Sequence, residues 1–232
     1  HLAETAVEVE NSQNEHGMSV IPYAQQHNIL DAKVLAAHCV HIDEGEMHTL
    51  LQHKSGVAHN PSSNLKLASG FAPVNKMIDL GLNVGIGTDG PASNNDLDMF
   101  EEVRLAAFLA KSVSSDPTAL PAHVALSMAT RLGAKALHLG EITGSLEPGK
   151  RADLILVDLS PLHNSPRFRH NPQGVYAQLV YAAKATDVSD VMVNGKWVMR
   201  DRQLKAIDEE NLLLQAKEYS HKIDYFLIQR EK

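Results

Sequence analysis

Histidines and carboxylates recur in this chain where short apolar runs end. His1 and Glu4 stand as His-x-x-Glu in HLAET, and His38 and His41 close AAHCVH. His59 leads into HNPSSN, and Asp89 lies between glycines in GTDGPASNN, which also carries Ser93. Imidazole and carboxylate are ligands for a divalent cation, and either can carry a proton to or from a nearby atom. Taken singly, each residue has an ordinary structural reading. His1 and Glu4 could be surface groups, His38 and His59 satisfied structural histidines, Asn60-Pro61 a turn start, and Asp89 a helix cap with Gly90 as its turn. Taken together, three histidines, one Glu and one Asp at corresponding strand ends describe a site suited to zinc or iron(II), with a position left for water. The metal would bring the pKa of that water toward neutrality. Asp89 would then bind the metal and accept the water's proton, while the glycines beside it let metal and substrate come close to the backbone.

The elements that position these residues must alternate. VLAAHCVH, GVAHNPSSN and LNVGIGTDG read as short strands with polar ends, and the intervening DEGEMHTLLQHK and FAPVNKMIDLGL carry apolar residues at three- and four-residue steps. Strand alternating with helix implies a parallel sheet. Chemistry gathered at the C-terminal ends of such strands is the arrangement of a (β/α)8 barrel. With HLAET as the tail of another strand, four strand ends are present, about half of what a closed barrel needs. The expected fold is therefore α/β. Residues 1–140 form the second half of a metal-dependent (β/α)8 TIM barrel, with the first half expected upstream of His1. DLDMFEEVRLAAFLAKSV and LPAHVALSMATRLGAKAL read as helices within it. Residues 141–207 form a small β-sandwich portion, in which Asn-Gly between VMV and KWVM signals a hairpin, and 208–232 form a closing helix with an acidic first turn.

Composition narrows the partners. With 232 residues, 44% of them hydrophobic, the chain can bury a substantial core. A net charge of -7 and the lack of a Lys/Arg cluster argue against a nucleic-acid footprint. Cys39 is the only cysteine, which suits a reducing compartment, so cytoplasm is expected. No apolar run approaches the roughly 18–20 residues of a membrane span. A homo-oligomer stays open: Trp197 and the final helix could contribute to an interface, but packing within the β unit and against the barrel is the favoured reading for apolar residues of this kind.

HLAET, AAHCVH, AHNPSSNLKLASGFAPV, GTDGPASNNDLDMFEEVRLAA, GSLEPGKRADLILVDL and VMVNGKWV occur in this order over nearly the whole chain. The ordered set resembles the amidohydrolase superfamily, in particular its 5-methylthioadenosine/S-adenosylhomocysteine deaminase branch of TRZ/ATZ-type hydrolases. The resemblance implies one divalent ion, Zn2+ in the first place and Fe2+ or Mn2+ as alternatives. It makes His1 a metal ligand and Asp89 both ligand and proton acceptor. Glu4 would contact the purine ring and move protons, His38 would hold the attacking water, and His59 and Ser93 would lie near the substrate without an assigned bond. The implied reaction is hydrolytic deamination of the adenine ring of a small-molecule nucleoside thioether. The His-x-His pair that completes the family's metal site does not occur in the sequence. Competing readings are a guanine or 8-oxoguanine deaminase, a chlorotriazine hydrolase, or a non-catalytic scaffold.

Overall fold

A computed structural model describes residues 1–167, 170–171 and 173–230. The packing divides into two units, His1–Arg151 with Asp158–Asp187, and Ala152–Val157 with Val188–Lys232.

The first unit opens with α1 (Ala6–His16) and α2 (Val20–Gln26). It then alternates β1 (Leu35–Ala37), α3 (Glu44–Gln52), β2 (Gly56–His59), α4 (Pro61–Lys66), α5 (Val74–Asp79) and β3 (Val84–Ile86). The strands form a parallel sheet in the order β1-β2-β3. Leu2 adds a parallel bridge to His38, so the opening residues lie against the β1 edge as a single bridge rather than a full strand. Val57 and Val84 pair at the sheet centre, and both are fully buried, as are Ile21, Leu50, Met77 and Met128. A strand packed on both faces must be apolar throughout, which is why these runs do not alternate.

Helix signals hold the connections. Asp43 and Glu46 form a reciprocal capping box that starts α3. Pro at the first helical position starts α4 and α6 (Pro91–Asn94). Asp98 caps α7 (Met99–Ser114) by accepting the Phe100 and Glu101 N–H groups. The stretch LPAHVALSMATRLGAKAL, expected as one helix, is two: α8 (Ala122–Met128) and α9 (Arg131–Ala136). The break falls at Thr130, whose backbone leaves the helical region and whose hydroxyl turns back to the Leu126 carbonyl.

In the second unit β4 (Leu154–Val157) pairs with β5 (Val188–Val193), β5 with β6 (Lys196–Arg200), and β6 with β7 (Gln203–Leu204), all antiparallel. The Asn-Gly hairpin is present as expected. Asn194 and Gly195 both have positive φ, 49° and 76°, the pair a type I′ turn requires. Among the described residues the β portion is one antiparallel sheet, where the sequence suggested a sandwich. The helix α10 (Gly174–Tyr181), within the stretch 141–207, packs with the first unit because Arg104 of α7 donates to the carbonyls of Val180 and Ala183. The closing helix α11 spans Glu209–Arg230; Glu231 and Lys232 of the expected 208–232 helix lie outside the described residues. No helix among the described residues is long and apolar enough to cross a membrane.

Candidate active site

The parallel register brings the chemistry-bearing residues to one edge. His38 follows β1, His59 ends β2 opposite Ile86 of β3, and the chain beyond β3 reaches Asp89. Backbone bonds continue the ladder past the strands, with the His38 N–H donating to Ala58, Gly87 to His59, and Cys39 to Leu2. The residues that turn out of the sheet there adopt left-handed backbone: Ala3, His38, Cys39 and Asp89 have φ of 51°, 72°, 49° and 59°. Such conformations are costly for residues other than glycine and concentrate at functional sites.

His1, His38 and Asp89 each offer a ligand atom, and the three lie within 4.8 Å of one another. His1 Nδ1 is 3.3 Å from His38 Nε2, and His1 Nε2 is 3.7 Å from Asp89 Oδ1. His38 is fully buried, and its Nδ1 meets Asn64 Oδ1 at 2.8 Å. The amide oxygen accepts from Nδ1, so the ring turns Nε2 toward the cluster. Glu4 Oε2 lies 3.8 Å from the same Nε2, and its Oε1 accepts the Ser69 hydroxyl at 3.1 Å. The turn carrying Glu4 is itself held by Glu8, whose carboxylate accepts the Ala3 and Glu4 backbone N–H groups.

Asp89 is not a helix cap; Gly90 is the residue at the start of α6. Instead Asp89 Oδ2 accepts two hydroxyls, Ser63 at 2.8 Å and Ser93 through a short bond, while Oδ1 faces His1. Burial pushes this carboxyl up, but the Ser93 and Ser63 hydroxyls, the Gly90 N–H and the nearby His38 outweigh it and hold the pKa below the usual aspartate value. Of the two glycines flanking Asp89, Gly87 acts differently from the sequence reading. A Cβ on Gly87 would collide with Asn60 Oδ1, so this glycine makes room for a buried asparagine, and Gly90 stands in open space.

His59 lies apart from the three-residue cluster. It is buried, its Nδ1 has no partner, and it lines a cavity of about 170 Å³ with Asn64, Phe71, Val74 and Leu109. Burial pushes its pKa down to about 4, with the charge of His38 as the smaller cause.

Residues 1–198 match the Amidohydrolase family. The chain belongs to this family. Among its amidohydrolase relatives, a 5-methylthioadenosine/S-adenosylhomocysteine deaminase of Moorella thermoacetica is 50% identical over 222 residues, covering 96% of this chain and 51% of that protein. The chain spans about half the length of the curated relatives it matches. The structure of an adenosine deaminase from Xanthomonas campestris with bound zinc has a TM-score of 0.91 at 42% identity, over 97% of this chain and 50% of that one. The zinc complex of an atrazine chlorohydrolase from Arthrobacter aurescens TC1 gives 0.83 at 26% identity, over 94% and 47%.

Sequence reading of this amidohydrolase chain missed the supporting residues Glu8, Ser63, Asn64, Ser69 and Glu102. Ser63 and Asn64 sit in the NPSSN motif beside His59. Glu102 had a legible signal, since it falls four residues before the apolar Ala106, which is buried on α7 as Glu102 is.

Proposed function

We propose that this chain carries part of the machinery for metal-dependent hydrolytic deamination of the adenine ring of 5'-methylthioadenosine and S-adenosylhomocysteine. The observation that carries the reading is the convergence of His1, His38 and Asp89 within 4.8 Å, with Glu4 beside them. An imidazole and a carboxylate, His1 and Asp89, are donors that suit zinc, with the His38 imidazole beside them. The names of the relatives and the zinc in the neighbouring structures support the substrate and the cation. The first unit serves as half of a (β/α)8 barrel, and the antiparallel sheet as its share of a small β-sandwich; four parallel strand ends and the twofold length of the relatives support this.

His1 and Asp89 would hold the cation. When bound, a divalent ion supplies Lewis acidity that makes water a nucleophile near neutral pH. Asp89 would take the proton of the attacking water, and in the resting site the Ser63 and Ser93 hydroxyls on Oδ2 favour its ionised form. His38 Nε2 orients that water toward C6, its own orientation set by Asn64. Glu4 Oε2, steadied by Ser69, delivers its proton to ring N1, takes up the proton that the C6 hydroxyl gives up and passes it to the departing amine, and the proton accepted by Asp89 then returns to Glu4 to reset the site. The C6–O bond forms, the C6–N bond breaks, and the products are the inosine analogue and ammonia. His59 and Ser93 border the substrate, Ser93 acting through Asp89.

Ammonia release by the intact, zinc-loaded protein tests the reading, with methylthioadenosine, adenosylhomocysteine, guanine and a chlorotriazine compared side by side. Turnover of the two adenosine thioethers is expected. Turnover of only guanine or the chlorotriazine would keep the hydrolytic site and overturn the substrate.

A further inference from the structure

Two hydroxyls converge on one oxygen of Asp89, and each belongs to a residue adjoining a group bonded to Glu102. Glu102 lies in α7 and is 1% exposed. Its Oε2 accepts the Ser62 backbone N–H at 3.1 Å, and its Oε1 accepts the Asn94 side-chain amide at 2.5 Å. Asn94 is pinned from its other end, where Oδ1 accepts the Leu97 N–H at 2.7 Å. Ser63 follows Ser62, Ser93 precedes Asn94, and these are the two serines that donate to Asp89 Oδ2. Lys66 adds a parallel link, donating to the Ala92 carbonyl and to Asn95 Oδ1. A carboxylate taken out of water costs several kcal/mol unless its hydrogen bonds compensate, and an apolar side chain would pack this face of α7 without that cost. What the acid adds is a two-armed bridge between the start of α4 and the end of α6.

We propose that Glu102 is a positioning residue for Asp89. Its two oxygens fix α4 and α6 so that Ser63 and Ser93 share Oδ2, which turns Oδ1 toward His1 and the cation. The inference rests on the reading of Asp89 as a cation ligand. Partners that orient a ligand typically change metal affinity by about 10–100-fold when removed.

The test is a zinc titration of the intact protein by chelator competition, with thermal unfolding recorded for each variant. Glu102→Gln retains one acceptor oxygen and cannot serve both Ser62 and Asn94, so zinc affinity should fall about tenfold in a folded protein. Adding Asn94→Asp to Glu102→Gln exchanges donor for acceptor across that contact. The introduced amide can then donate to the new carboxylate while its carbonyl accepts the Ser62 N–H, and zinc affinity should recover. Zinc affinity unchanged by Glu102→Gln, in a protein where Asp89→Asn weakens it, would overturn the proposal. So would a folded double variant that stays weak. Zinc affinity unmoved by Asp89→Asn would instead overturn the ligand assignment beneath it. Should Glu102→Gln fail to fold, Asn94→Ala cuts only the Ser93 arm, and unchanged zinc affinity there refutes the bridge.

Discussion

Acidification should reveal His59. Its ring is buried, its Nδ1 has no partner, and its pKa is pushed down to about 4 from an ordinary 6.5. An unfolded chain takes up this proton near pH 6.5, whereas the native one resists it until about pH 4. Between those values the unfolded state holds more protons, so stability falls as pH falls, beginning near 6.5 and reaching its full loss near 4. A difference of about 2.5 pH units corresponds to about 3 kcal/mol. Other groups titrate over the same range, so the informative quantity is the difference from His59→Leu, an apolar side chain that fills the site and binds no proton. Urea unfolding of both proteins from about pH 7 to pH 4 should show the variant gaining on the wild type by about 3 kcal/mol toward the acid end. A difference between the two that stays constant with pH would refute the claim that His59 is held neutral by burial.

Three further substitutions follow from the site. Glu4→Gln should lower ammonia release by about 10²–10⁴-fold while leaving bound zinc unchanged by elemental analysis; full activity would remove Glu4 from proton transfer. Asp89→Asn should both weaken zinc binding and abolish turnover, and retention of the two together would take Asp89 out of the site. Asn64→Leu leaves His38 Nδ1 buried without its acceptor, at a cost of about 1–3 kcal/mol by urea unfolding. It should depress kcat more than zinc affinity, and a loss confined to zinc affinity would argue that His38 is a ligand rather than the group that orients water.

The alternation of strand and helix, and the place of His38, His59 and Asp89 at one sheet edge, were legible because fully buried parallel strands are continuous apolar runs whose polar residues can appear only at the ends. The hairpin was legible because Asn194-Gly195 tolerates the positive φ that few other pairs do. The break between α8 and α9 was not, since Thr130 is an acceptable helix residue until its hydroxyl competes for a backbone carbonyl. The candidate site was half legible. Imidazoles and acids announce themselves, but Ser63, Ser93 and Ser69 gain meaning only from the oxygen each reaches, and those partners lie 26, 4 and 65 residues away. The separation of His59 from the His1–His38–Asp89 cluster was likewise invisible, because strand order does not reveal where each side chain turns beyond the strand's last residue.

Anomalous scattering at the zinc edge, from crystals of the intact protein grown with zinc, tests the central claim most directly. A peak between His1 Nε2 and Asp89 Oδ1 is expected, with Glu4 and His38 alongside it. Zinc found only at other histidines, with no peak at His1 and Asp89, would contradict the account.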